Sequence, residues 1–234
     1  MKKYGEVTEG IFCERKNRFI AEVLINGEKE PVHIKNTGRL RELLIPGAKV
    51  ILEISDNPDR KTKYSLIAVY AYGHIVNIDS QAPNLAAFHA LEKGKINEIG
   101  TVNKVRREVT FKNSRFDLYY EKEKEKGFVE VKGVTLVKER TAMFPDAPTS
   151  RGTKHVMELI KAQEEGYHAS ILFLIQMEDC KLLCLNWEMD PVFSEAVVEA
   201  VQKRVNVFAY DCKVSEKELV LNQPVPVSLE YNCG

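Results

Sequence analysis

The chain has 234 residues, of which 44% are hydrophobic and 29% charged, and its formal net charge is zero. This is the composition of an ordinary folded globular protein, and it leaves no global field to draw the molecule onto nucleic acid. The most apolar stretch, residues 169–177, is far too short to cross a bilayer, and the start, MKKYGEVTEG, lacks the apolar run of a signal peptide.

The charge is unevenly placed. Residues 1–150 carry 26 Lys and Arg against 21 Asp and Glu, whereas residues 151–234 carry 8 against 13. A phosphate-binding surface is therefore expected mostly in the first two thirds. The five cysteines, Cys13, Cys180, Cys184, Cys212 and Cys233, are scattered, and the Cys180–Cys184 spacing has no second pair nearby to complete a zinc site. Reduced, mostly buried thiols in a cytoplasmic protein are expected.

In chain order, residues 1–80 read as all-β. Residues 19–25, 32–35, 49–54, 64–72 and 75–78 have strand character, separated by turn signals at Asn26-Gly27, Pro46-Gly47, Asn57-Pro58-Asp59 and Gly73. A short helix or turn is expected over residues 37–43. Five strands in this length suggest a small barrel of the OB type, although other small barrels share the pattern. Basic residues cluster beside the strands: Arg15, Lys16 and Arg18, then Lys35, Arg39 and Arg41, then Arg60, Lys61 and Lys63. Phe12, Phe19, Tyr64, Tyr70 and Tyr72 are interleaved with them. Basic groups beside exposed rings suit nucleic acid, by phosphate contact and base stacking. Alternating aromatics are equally what a barrel core requires.

A domain boundary is expected near Ser80, giving a barrel over residues 1–80 and an α/β domain over 81–234. Residues 83–94 have Leu85, Phe88 and Leu91 at helical spacing, with Gly94 as a stop. Five basic residues from Lys104 to Arg115 then lead directly into Asp117, with a strand expected near residues 108–112. A second helix is expected over residues 151–165, capped by Thr149 or Ser150, with Arg151, Lys154 and His155 in its first turns. Strands follow at 169–176, 181–186 and 205–210. A helix capped by Asp190 precedes the last of these, and residues 224–234 read as an extended surface tail.

The chemistry concentrates in SRFDLYYEKEKEKGFVEVKGV, residues 114–134. Two strands joined by a charged turn would place Arg115, Asp117 and Tyr119 on one face of the first, and Phe128, Glu130 and Lys132 on one face of the second. Gly127 reads as the flexible joint. Antiparallel pairing brings Asp117 beside Glu130 and Lys132. Two adjacent carboxylates repel and call for a cation between them, and hard oxygen donors suit Mg²⁺ or Mn²⁺. Lys132 can hold water or phosphate. The spacing D…ExK resembles the core of the PD-(D/E)XK nucleases, and a nuclease reading would add the Val131 carbonyl as a metal donor. Glu92 or Glu98 could add a third acid, and the sequence does not choose between them.

Longer motifs extend this likeness. The NRF run at residues 17–19, HIKNTGRLREL at 33–43, SRFD at 114–117, FVEVKGVTL at 128–136 and AMFPDAPTSRGTKH at 142–155 together resemble the sugar fermentation stimulation protein family over nearly the whole chain. The resemblance implies a DNA-binding protein with an N-terminal OB-like domain and a C-terminal restriction-endonuclease-like domain. It implies Asp117, Glu130 and Lys132 as the nuclease motif, and it suggests a link to regulation of sugar-utilisation genes. The absence of a clear extra acid on an early helix departs from the nuclease pattern. Two functions are therefore expected, each with DNA as partner: a Mg²⁺- or Mn²⁺-dependent nuclease, or a DNA-binding regulator that keeps the fold without the chemistry.

Overall fold

In the computed structural model, which describes residues 1–36 and 38–231, the chain begins away from its own N-terminal half. Lys2–Lys3 (β1) forms the edge of the large C-terminal sheet. The barrel follows, from Val7–Arg15 (β2), Ile20–Ile25 (β3), Glu28–Ile34 (β4), Lys49–Ile54 (β5) and Tyr64–Ala71 (β6). β2 pairs antiparallel with both β3 and β5, β3 with β4, and β5 with β6. Parallel pairing of β4 with β6, from Val32↔Tyr64 to Ile34↔Leu66, closes the ring. His74–Asn77 (β7) extends the sheet from β6. The result is a closed five-stranded, OB-like barrel.

Its interior holds Phe12, Val23, Val32, Val50, Leu52 and Leu66. Asn26 and Gly27 both take positive φ, the geometry of a tight hairpin turn, and join β3 to β4. β2 is the strand that the periodicity did not predict. A bulge between Phe12 and Glu14 interrupts its alternation. In the expected turn at 37–43, Leu40 accepts from the backbone N–H of Leu43 and Leu44, and all three leucines are buried. Thr37 itself lies outside the described residues.

The C-terminal half comprises Ala82–Glu92 (α1), Lys104–Phe111 (β8), Ser114–Lys122 (β9), Glu125–Val134 (β10), Leu136–Lys138 (β11), Thr141–Phe144 (β12) and Ser150–Glu164 (α2). It continues with His168–Ile175 (β13), Leu182–Leu185 (β14), Pro191–Gln202 (α3), Asn206–Val214 (β15), Glu218–Val225 (β16) and Val227–Ser228 (β17). The main sheet runs β1-β16-β15-β13-β10-β9-β8, with β10, β13 and β15 parallel at its centre. A smaller sheet runs β11-β12-β14-β17. α1 packs through Ala86, Ala90 and Leu91 against Val129, Leu172 and Tyr210 on one face of the main sheet. α2 and α3 pack through Val156, Leu159, Phe193 and Val197 in the core on the other side. β13, HASILFLI, is apolar almost throughout because both its faces are covered.

The capping residues are those expected. Thr149 Oγ1 accepts from Gly152 N–H and Asp190 Oδ1 from Phe193 N–H, while Thr149 N–H donates to Asp190 Oδ2. Three expectations are corrected. The charged turn lies at Glu123 and Lys124, whereas Gly127 is inside β10, where a Cβ would come within 2.4 Å of the Tyr120 ring. The expected tail is structured as far as Ser228: Val225 is buried, and Val227–Ser228 pairs with β14. Cys184 is disulfide-bonded, whereas Cys13, Cys180 and Cys212 are free thiols. Residues 232–234, Cys233 among them, lie outside the described residues.

One core cluster spans both halves. A buried polar network ties them as well. Gln176 Nε2 donates to Asn77 O, Asn77 Oδ1 and Asp79 O, and Asn77 Nδ2 donates to the Tyr4 hydroxyl at 2.8 Å. Satisfied buried networks of this kind fix one relative arrangement.

Candidate active site

β9 and β10 pair antiparallel from Glu125↔Lys122 to Val129↔Leu118. One step further, that register sets Asp117 opposite Glu130. The ladder ends there, and the Val131 N–H donates instead to Asp117 Oδ2 at 2.8 Å. The neighbouring strand is irregular at the same level, where Glu108 takes φ 54°. The expected alternation along β9 fails here for that reason. Phe116 packs with Phe111, Phe128 and His155, whereas Leu118 and Tyr120 pack on the α1 side. Asp117 occupies the point where the strand changes face.

Glu130 is 3% exposed. Its Oε1 accepts from Lys132 Nζ at 2.8 Å and lies 2.5 Å from His155 Nδ1. An ionised carboxylate only accepts, so this nitrogen carries the proton. Among the described residues, Glu130 Oε2 has no hydrogen-bond partner although it is buried. Burial raises the pKa of Glu130, but the His155 and Lys132 contacts outweigh it and hold the carboxyl below its ordinary range. Asp117 goes the other way. Burial and then the Glu130 charge push it up to about 6, against the pull of the Val131 N–H, Lys132 and His155.

This donor set suits a divalent cation. Two carboxylates in mutual repulsion, one with an orphaned buried oxygen, gain from a positive charge between them. Among the described residues, no group of three His, Cys, Asp or Glu side chains is arranged to hold a metal ion. Asp117 and Glu130 are the two carboxylate donors brought together here, and the Val131 carbonyl is the further donor expected from the sequence. Neither candidate third acid joins them: Glu92 pairs with His89 at 3.0 Å, and Glu98 accepts from the Tyr210 hydroxyl at 2.9 Å. The α1 residue at the site is Asn84, whose Nδ2 donates to Asp117 Oδ1 at 2.6 Å. Sequence reasoning missed it because a lone Asn in a first helical turn carries no signal.

The basic residues fall into groups. Arg15 is enclosed by its own loop: its five N–H donors reach the backbone carbonyls of Asn17, Arg18, Asn36, Gly38 and Arg39. It shapes the loop and has no donor left for phosphate. Arg18, Arg39 and Arg41 line a groove of about 390 Å³ beside it. Arg18 stacks over Phe19, 5.7 Å from the ring centroid, and Phe19 is 50% exposed. Tyr72 is also exposed, whereas Phe12 and Tyr64 are core.

On the C-terminal domain, Arg115 faces Glu108 at 3.5 Å and Lys154 Nζ donates to the Asn113 carbonyl. Arg151 is exposed in the first turn of α2. His155, expected to face DNA, is buried behind Glu130. Three further cations, Lys2, Lys35 and Arg107, line a cavity of about 310 Å³ that also contains Asp117 and Asn84. No local pattern signals this grouping, because the three come from β1, the barrel and β8.

A closed OB-like barrel joined to an α/β domain with three helices defines the fold class of this protein. Residues 13–78 match the SfsA N-terminal OB domain, and residues 81–218 match the sugar fermentation stimulation protein RE domain. The sugar fermentation stimulation protein homolog of Alkaliphilus oremlandii is 55% identical over 96% of this chain and 98% of its own length. That of Clostridium novyi is 46% identical over 97% and 100%. A solved structure described as Pyrococcus furiosus SfsA in complex with Ca²⁺ superposes with a TM-score of 0.87, at 30% identity, over 97% of this chain and 99% of that one. The chain belongs to the sugar fermentation stimulation protein family.

Proposed function

We propose that this protein binds DNA through its barrel and hydrolyses phosphodiesters at Asp117, Glu130 and Lys132 with a divalent cation, Mg²⁺ or Mn²⁺. The observation that carries the reading is the carboxylate pair itself. Asp117 is driven up to about 6 by burial and by Glu130, and Glu130 keeps a buried, unpartnered oxygen. A protein that only grips phosphate gains nothing from two carboxylates placed against it. The Pyrococcus furiosus relative is described in complex with Ca²⁺, which supports divalent-cation binding by this chain.

Asp117, Glu130 and the Val131 carbonyl would hold the ion, which supplies Lewis-acid stabilisation of the charge building on the phosphoryl group. The protein does the rest. Glu130 Oε1 holds the Lys132 ammonium, which positions the attacking water or a phosphate oxygen. His155 helps to fix the rotamer of Glu130. Arg18, Arg39, Arg41 and the exposed Phe19 ring supply phosphate contact and stacking.

A second reading, a non-catalytic DNA-binding regulator, is favoured by Asn84. It stands where a third acid would complete the site, and it already occupies Asp117 Oδ1. Calorimetric titration of Mn²⁺ into the wild type and Asp117→Ala tests the premise of the enzyme reading. Heat of binding in the wild type and none in the variant supports it, and equal heats remove it.

A further inference from the structure

We infer that the cleft between the barrel and the C-terminal domain receives an unpaired nucleobase of the bound strand, one that presents an amino edge. The inference rests on the DNA binding proposed above and adds a specificity site to it.

The cleft has a volume of about 330 Å³, the low end of the range for ligand pockets and too small for a duplex. It lies at the C-terminal ends of parallel β10 and β13, where Val134 pairs with Ile175. Open α/β sheets bind ligands at such strand ends. Gly133, on its wall, directly follows Lys132 and stands three residues from Glu130, about 10 Å along an extended strand. Glu130 and this wall of the cleft therefore share one strand.

The lining suits a base. Phe144 offers a partly exposed ring, pinned by Phe173 and Phe193 at centroid distances of 5.4 and 5.2 Å. Asp146 and Thr135 supply polar groups, and Gly38 and Ser80 close the barrel side. The Asp146 carboxylate repels a phosphate but accepts from the amino group of guanine, adenine or cytosine. Thymine offers the carboxylate a single ring N–H and no amino group. The walls are already set. Gln176 is held by three hydrogen bonds, and a Cβ on Gly133 would come within 2.6 Å of Gln176 Oε1 and 2.8 Å of Pro83. The absence of a side chain at Gly133 lets the strand pack closely against Gln176 and Pro83. A single base can leave the stack for a pocket of this kind, as it does in enzymes that modify bases.

The test uses the full-length protein without divalent metal, so that DNA stays intact, and oligonucleotides with 2-aminopurine at successive positions. The expected result is brightening confined to one position. Ala147→Phe, which fills the cleft, should abolish it while salt-dependent DNA binding through the barrel remains. DNA binding with no brightening at any position, or equal brightening in folded Ala147→Phe, overturns the inference and leaves the proposed function standing. No DNA binding at all by the wild type overturns both. If Ala147→Phe fails to fold, Asp146→Asn serves instead. The wild type should favour an amino base over thymine at the bright position by about tenfold, and the variant should lose that preference. A wild type without the preference overturns the inference.

Discussion

Glu130 and His155 meet across the contact between β10 and α2, with Oε1 2.5 Å from Nδ1 and both residues buried. The contact helps to fix the rotamer of the carboxylate. Removing His155 leaves the buried Glu130 carboxylate with Lys132 as its remaining charged partner, at a cost of about 1–3 kcal/mol. His155→Ala should therefore lower unfolding stability by roughly that amount in denaturant titration, and weaken Mn²⁺ binding as well. A destabilisation well below about 1 kcal/mol would show that α2 does not hold Glu130.

The two carboxylates have opposite pH signatures. The folded state holds a proton on Asp117 up to about 6, where an unperturbed Asp has lost it near 3.8. The stability contributed by that proton is complete at low pH and is lost as pH rises through about 6. Glu130 is held low, so its contribution is present above its ordinary range and lost as pH falls. A cation must displace the Asp117 proton, so apparent Mn²⁺ affinity should fall by about tenfold per pH unit below 6. Thermal melts with and without Mn²⁺, well above and well below pH 6, measure this. An Mn²⁺-induced shift equal at both would rule Asp117 out as a ligand.

The barrel arginines should separate into two kinds. Arg39→Ala with Arg41→Ala should weaken DNA binding at unchanged melting temperature, and should flatten the salt dependence by about one unit of slope for each phosphate left unneutralised. Arg15→Ala should instead lower the melting temperature, because its guanidinium bonds to five backbone carbonyls that hold the loop together. Phe19→Ala should cost about 1–3 kcal/mol on single strands, since no ring remains for a base to stack on. Unchanged affinity and salt slope in the Arg39/Arg41 double variant would take the barrel groove out of the DNA site.

At the start of α2, Arg151→Ala should lower DNA affinity without altering the melting temperature, since the side chain is exposed. Lys154→Ala should do both, because Lys154 Nζ also holds the Asn113 carbonyl. Electrophoretic binding assays beside thermal melts distinguish the two. A fall in melting temperature confined to Arg151→Ala would reverse the assignment.

Local pattern carried the site's three principal residues but not their setting. The proximity of Asp117, Glu130 and Lys132 was legible because one hairpin register brings them together, although the alternation along β9 fails at Asp117 itself. Asn84 and the Lys2, Lys35 and Arg107 group were not, because their positions depend on α1, β1 and the barrel all packing near Asp117. Arg15 was misread for a related reason. A loop arginine looks like a surface charge until the carbonyls that converge on it are seen. The barrel was legible as a barrel, yet β2 was missed because its bulge interrupts the alternation on which strand recognition depends.

Metal-dependent hydrolysis by Asp117, Glu130 and Lys132 is tested most directly by incubating pure protein with single-stranded, double-stranded and branched DNA, with Mg²⁺, Mn²⁺ or neither. Asp117→Ala, Glu130→Ala and Lys132→Ala serve as paired controls. Cleavage by the wild type is expected only when metal is present. Each variant should be slower by about 10²-fold or more, with DNA binding retained. Intact DNA in every wild-type reaction, or equal cleavage by wild type and variants, would contradict a hydrolytic role for these three residues.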